Sequence, residues 1–350
     1  MSFSFRPESR AGAGAMTAGF AVLLFAVLLV SLSVGKYHVP VGNVFRILVS
    51  AVFPSLFPDP AWSELDSSII LAVRLPRAAA AMFVGGALAA SGAVFQGIFR
   101  NPLASPYTLG VSNGAGFGAA LAIMWAGTTL AVQGSAMLFA FAAVFLALKF
   151  GERARNSTVT LILAGVVVGS LFAALISLLK FLADPFDKLP AIVFWLMGSL
   201  ASVNNGALIA SIPVFIAGFA LLLLYAWRLN ILCIGDAEAR SYGVDVSRDR
   251  TIVIACCSVL AAVSVGMAGV IGWVGLVIPH LSRCFTGPDF RRLLPVSILL
   301  GAAYLLAIDD ICRTLSAAEI PLGVVTALLG TPVFAWFMVN ESRGVGDMWR

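Results

Sequence analysis

Charge-free apolar runs about as long as a bilayer is thick recur along this chain, and they leave few folds open. A helix needs about 20 apolar residues to cross the hydrocarbon core. Residues 16–34 supply one such run and residues 78–99 a second. Residues 101–148 are long enough for two, with a break expected at 125–133, and residues 156–179 give a fifth. Residues 189–227 are too long for one helix and short for two, which predicts a surface helix at 191–200 and a span at 206–227. The glycine-rich stretch 251–282 predicts two elements broken at 266–275, and residues 293–308 and 320–340 complete ten spans. Of the 350 residues 60% are hydrophobic and 11% charged, more apolar surface than one soluble core could hide. The expected fold is an all-α polytopic membrane protein. A single transmembrane domain is expected over residues 1–350, with a tail at 1–15, a polar loop at 228–250 and a tail at 341–350.

The first run is expected to be retained, because Tyr37-His38-Val39-Pro40 is no small-residue cleavage site. Ten spans put both termini on one side, and basic residues choose which. Cytoplasmic termini leave only Lys36, Arg46, Arg74, Arg77, Lys180, Lys188 and Arg313 outside, seven of the 22 Lys and Arg. The other fifteen face inward. The basic pI is thereby assigned to the inner lipid surface and not to nucleic acid.

Several chemistries find no residues. No G-x-x-x-x-G-K-[ST] loop occurs, so the chain has no P-loop for a nucleotide. Asp309, Asp310 and Glu319 sit toward the outer ends of their spans, whereas ion-coupled carriers place ionisable groups near the midplane; a secondary transporter is therefore disfavoured. His38 and His280 make neither a metal site nor a catalytic pair, and of five cysteines only Cys256 and Cys257 are neighbours, pointing about 100° apart on a helix. No cofactor, metal or catalytic residue is expected. Glycines 85, 86, 92 and 97, then 110, 114, 116 and 118, indicate close helix packing.

Two features look outward. "RLPR", Arg74 to Arg77, places two arginines on the arginine-poor side, with Pro76 expected to fix the backbone at a helix start and so hold both guanidinium groups. The plain alternative is arginines that snorkel to lipid phosphate. "RLNILCIGDAEARSYGVDVSRDR", residues 228–250, mixes four acids with four arginines and has room for a short helix or two that a protein partner could contact.

Three long stretches then carry a resemblance over about residues 72–338. They are "RLPRAAAAMFVGGALAASGAVFQGIFRNPLASPYTLGVSNGAGFGAAL" (74–121), "GVIGWVGLVIPHLSR" (269–283) and "EIPLGVVTALLGTPVFAWFM" (319–338). The sequence is similar to the FecCD family, the permease subunits of type II ABC importers for iron-siderophores, haem and cobalamin. The resemblance implies ten helices, a second permease subunit (a homodimer is expected), two cytoplasmic ABC ATPases that carry the ATP hydrolysis, a periplasmic binding protein, and a multi-pass location in the bacterial inner membrane. It implies docking of acidic residues of the binding protein on Arg74, Arg77 and Arg313. It implies ATPase coupling through Asp236, Ala237, Glu238, Ser241, Tyr242, Gly243 and Val244, with Tyr242 where a leucine is expected. It implies an inner pore constriction at Asn101, Leu103, Thr158 and Leu163, for which helix capping and bundle packing are the plain alternatives. Ferric siderophore is the first expectation for cargo, with haem and cobalamin behind it.

Overall fold

Helix follows helix throughout residues 10–57, 62–153, 158–203, 205–316 and 318–340, which the computed structural model describes. In chain order they are α1 (Arg10–Ser33), α2 (Val41–Val52), α3 (Glu64–Ser68), a π turn (Ile69–Arg74) leading into α4 (Leu75–Phe99), α5 (Val111–Trp125), α6 (Thr129–Arg153), α7 (Thr158–Leu182), α8 (Lys188–Leu196), α9 (Asn205–Leu224), α10 (Ala226–Ile234), α11 (Asp236–Ser241), α12 (Val246–Ala268), α13 (Val274–Thr286), α14 (Phe290–Thr314) and α15 (Leu322–Asn340). No strand occurs among the described residues. Residues 1–9 of the expected N-terminal tail and the whole tail 341–350 lie outside them.

Each of the ten expected spans is a helix, and both expected breaks occur, at residues 126–128 and 269–273. Among the described residues seven helical stretches are long and apolar enough to cross a membrane, while α5, α13 and α15 are shorter. The expected surface helix is α8. Helix α2 stands where no element was expected: its 12 residues are too few to span, but Val44 and Ile47 are buried while Val41, Phe45 and Val52 face outward.

Helix α4 forms the centre. It is apolar all round, the pattern of a helix buried on every side, and it packs chiefly on α14, α12 and α13. Lipid tails are as apolar as leucine, so shape and not hydrophobic transfer must hold these helices together. Small residues supply the shape. A Cβ on Gly92 would lie 1.9 Å from the carbonyl oxygen of Gly275, and one on Gly85 would lie 2.3 Å from that of Gly301. Gln96 adds hydrogen bonds from its side-chain nitrogen to the carbonyls of Leu276 (3.1 Å) and Gly275 (3.4 Å). The two glycine-rich stretches at residues 86–100 and 266–283 are thus direct neighbours.

Pro76 does not start its helix, which corrects the sequence reading. The helical path begins at Glu64, where Ser63 and Asp66 form a capping box, and runs unbroken to Phe99. Proline lacks an N–H and clashes with the carbonyl four residues back, so the turn before it widens: Leu75 N–H donates five residues back, to Ile70. Arg74 closes that π turn and Arg77 follows one turn on.

A second irregularity separates α12 from α13. Trp273 has φ 69° and ψ −32°, and Val274 N–H donates to the Gly272 carbonyl at 2.9 Å, a three-residue γ-turn of the strained, positive-φ kind. The indole is held from outside, packed on Gly330 and edge-on to Phe334, both of α15. Glycine ordinarily costs about 0.5–1 kcal/mol against alanine, yet here the order is expected to reverse. Trp273→Gly should be more stable than Trp273→Ala by about 1 kcal/mol, since both lose the ring and only alanine keeps the strain. Thermal unfolding of the two purified variants measures this directly.

Candidate functional site

Three arginines meet at the end of the bundle where α1 finishes and α4 begins. The last carbonyls of α1 lack intrahelical donors and carry the negative end of the helix dipole. Arg74, only 8% exposed, covers them: it donates to the carbonyls of Leu32 (2.6 Å), Ser33 (3.0 Å) and Tyr37. Arg313, from the last turn of α14, donates to the carbonyl of Ser31 and to Asp310 (2.6 Å), whose carboxylate also accepts from the Ser31 hydroxyl (2.6 Å). Two guanidinium groups therefore cap one helix. The alternative of lipid-facing arginines does not hold for Arg74, which is enclosed by protein.

Arg77 binds two carboxylates at once. Its Nε and Nη2 each donate to Asp309 at 2.8 Å, and its Nη1 and Nη2 donate to Glu319 at 2.9 and 2.8 Å. Asp309 is 2% exposed, and Arg313 stands 4.0 Å from it. Glu319 is 31% exposed and lies in the loop between α14 and α15. Hydrogen bonds from Arg77 hold the Glu319 carboxyl below its ordinary pKa of about 4.3. The bridge is thus complete above that value and is lost only as pH falls through the lowered one. Beside the cluster, the Tyr37 hydroxyl donates to Asp66 (2.9 Å), and that bond pushes the phenol pKa up. Three arginines face three carboxylates here, and Lys36 adds a further positive charge that acts on Glu319.

The far end of α4 carries the polar loop. There α10 and α11 are the short helices that residues 228–250 were expected to hold. Asp236 pairs with Arg250 at 2.5 Å and Asp249 with Arg228 at 3.0 Å, which staples the segment to α12. Gly243, at φ 76°, turns the chain, and Val244 N–H returns to the Ala239 carbonyl at 3.1 Å. Ala239 and Val244 are buried with Ile231, Leu232 and Val246, whereas Ala237, Glu238, Ser241, Tyr242 and Gly243 face outward.

The model of the FecCD transport family matches residues 23–340. The chain belongs to the FecCD transport family. Among FecCD relatives, the molybdate import permease MolB of Haemophilus influenzae is 42% identical over 93% of this chain and 96% of that protein. The cobalamin import permease BtuC of Halobacterium salinarum is 38% identical over 95% of this chain and 97% of its own. A Helicobacter pylori permease named for iron chelatin transport is 41% identical over 80% of this chain and 84% of that one. An inward-facing structure of a metal-chelate type ABC transporter superposes with TM-score 0.84 at 38% identity, covering 93% of this chain and 99% of that one. The fold is that of a type II ABC importer permease, a multi-pass transport subunit.

On this FecCD frame the expected constriction residues are spread over separate elements. Asn101 follows α4, whose C-cap Arg100 adopts φ 47°, and its side-chain oxygen accepts from Leu103 N–H at 2.9 Å, a local turn. Leu103 and Leu163 are both exposed, 59% and 58%, and Leu163 lines a shallow apolar groove with Phe150, Thr160, Ala164 and Val167. Thr158 is the first residue of α7, and its side chain lies outside the described atoms. Sequence reasoning placed Asp309, Asp310 and Glu319 on the arginine side without pairing them. The signal was the spacing: Asp310 and Asp309 stand three and four residues before Arg313, on one helix face.

Proposed function

We propose that two copies of this chain form the pore of an importer in the bacterial inner membrane, served by two cytoplasmic ABC ATPases and a periplasmic binding protein, with a ferric siderophore as cargo. One observation carries the cargo reading: α7 and α15, which line the pore in this reading, have no carboxylate on their outward faces and, apart from Lys180 near one end, no cation among the described residues. Stripping water from a bare anion without a partner is costly, whereas a chelate that wraps its metal needs no fixed charge along its path. The relatives named for iron chelatin and cobalamin support the same reading; the relative named for molybdate supports a second one, an oxyanion cargo.

In this reading the face above Arg77 and Arg313 receives the binding protein, and Arg74 holds the frame beneath it. Ala237, Glu238, Ser241, Tyr242 and Gly243 seat on the ATPase, anchored by Asp236 and Val244. Asn101, Leu103, Thr158 and Leu163 narrow the inner end.

The test is uptake in cells lacking their own permeases, supplied with this chain and its cognate ATPase and binding protein. Radioiron-labelled siderophore is expected to accumulate, and an ATPase variant unable to hydrolyse ATP should abolish it. Accumulation of labelled molybdate, haem or cobalamin in place of iron would reassign the cargo. Uptake persisting without hydrolysis would make the chain a secondary transporter.

A further inference from the structure

Arg77 and Arg313 already hold Asp309, Asp310 and Glu319, so neither is an open landing site for an acidic partner. Attraction to a guanidinium is weakened by the carboxylates it already holds, so an approaching carboxylate gains little from Arg77 while both of its partners stay in place. Four of the five N–H donors of Arg77 are committed, two to each carboxylate. A third carboxylate can bind Arg77 only by replacing one of the first two.

The two differ in how readily they leave. Asp309 is 2% exposed and fixed in the α14 helix, and its departure would strand a charge in the protein interior. Glu319 is 31% exposed and belongs to the loop between α14 and α15. Just beyond it the chain is clamped by backbone bonds: Ile320 N–H to the Cys312 carbonyl (3.2 Å), Leu322 N–H to Gly198 (3.0 Å) and Gly323 N–H to Met197 (3.0 Å). Glu319 therefore ties Arg77 to the point where α14, the turn after α8 and the start of α15 meet.

We infer that Glu319 is a placeholder: it occupies Arg77 in the free permease and yields that position to a carboxylate of the docking binding protein, loosening the start of α15 as it leaves. The inference rests on the docking reading above and adds the residue that regulates it. Because one carboxylate replaces another, Arg77 is never left unpaired, and docking is tuned to be reversible. Removing the placeholder's charge should strengthen docking, the opposite of what losing a merely structural ion pair would do.

The experiment compares wild type with Glu319→Gln, each as the full permease–ATPase complex in nanodiscs titrated with fluorescently labelled cognate binding protein. Glu319→Gln is expected to bind about three- to tenfold tighter at low salt, the gain shrinking as salt rises. In wild type, docking should speed amide hydrogen exchange over residues 318–323, and the variant should show that faster exchange already when free. Unchanged or weaker binding, or exchange that docking does not alter, would overturn the placeholder while leaving the docking reading standing. Wild-type complex that binds no binding protein at any salt would remove the docking reading and the placeholder with it. Should Glu319→Gln fold poorly, Glu319→Ala decides by the same two readouts.

Discussion

Arg77→Leu is expected to destabilise the purified protein by about 3–5 kcal/mol, because Asp309 is left charged and nearly out of reach of water. Arg313, 4.0 Å away, compensates in part and places the expectation at the lower end of that range. The sign of the companion variants makes this specific. Asp309→Leu alone should cost clearly less, since Arg77 keeps Glu319 and is itself 16% exposed. The double variant Arg77→Leu/Asp309→Leu should recover much of the loss, as a buried ion pair replaced on both sides by apolar groups is often near neutral. Thermal unfolding in nanodiscs gives all three values. Equal losses in the two single variants would mean that burial of Asp309 is not the governing term.

Gly92→Ala is expected to be worse tolerated than its single added carbon suggests. The new Cβ meets the Gly275 carbonyl oxygen at 1.9 Å and its carbon at 2.6 Å, and both are backbone. No side chain can rotate out of the way, so α4 and α13 must part by roughly 1 Å or more to reach an ordinary contact distance of about 3.5 Å. That separation also pulls Gln96 from its two carbonyl acceptors. Overpacking commonly costs about 1–3 kcal/mol, and this site stands at or beyond the upper end. Gly134→Ala is the control: nothing lies within 4 Å of its Cβ, and alanine in a helix should stabilise by up to about 1 kcal/mol. The yield of folded protein by size-exclusion chromatography, followed by unfolding, should separate the pair. Similar behaviour would refute the close approach of α4 and α13.

The seven long elements were legible because a span must exclude charge over a fixed length, and that constraint is written locally. Where the constraint is shorter or comes from elsewhere, legibility fails. Helix α2 was missed since 12 residues with Arg46 inside fall below the length that signals a span. The π turn was missed because Pro76 reads locally as a start, and only the capping box at Ser63 reveals the helix already running. The γ-turn at Trp273 could not be read at all: a bulky residue at positive φ contradicts local preference, and what holds the ring is α15, some sixty residues on. At the arginine end, the sequence put these cations and acids on one side of the bundle without pairing them. It took geometry to show that they satisfy each other.

The burial of α4 also bears on how such a protein is made. A helix enclosed on every side by other helices waits in lipid with the small residues of its packing faces unmatched until its neighbours arrive. Gly85 is synthesised more than two hundred residues before Gly301, the partner that closes over it. At about 5–20 residues per second the ribosome needs roughly 10–40 s to deliver that partner. For that interval the centre of the finished transporter is a half-built groove of glycine and alanine in the bilayer. Something must shelter it, whether the insertion machinery or the earlier helix α1, and the outcome of biosynthesis turns on that wait.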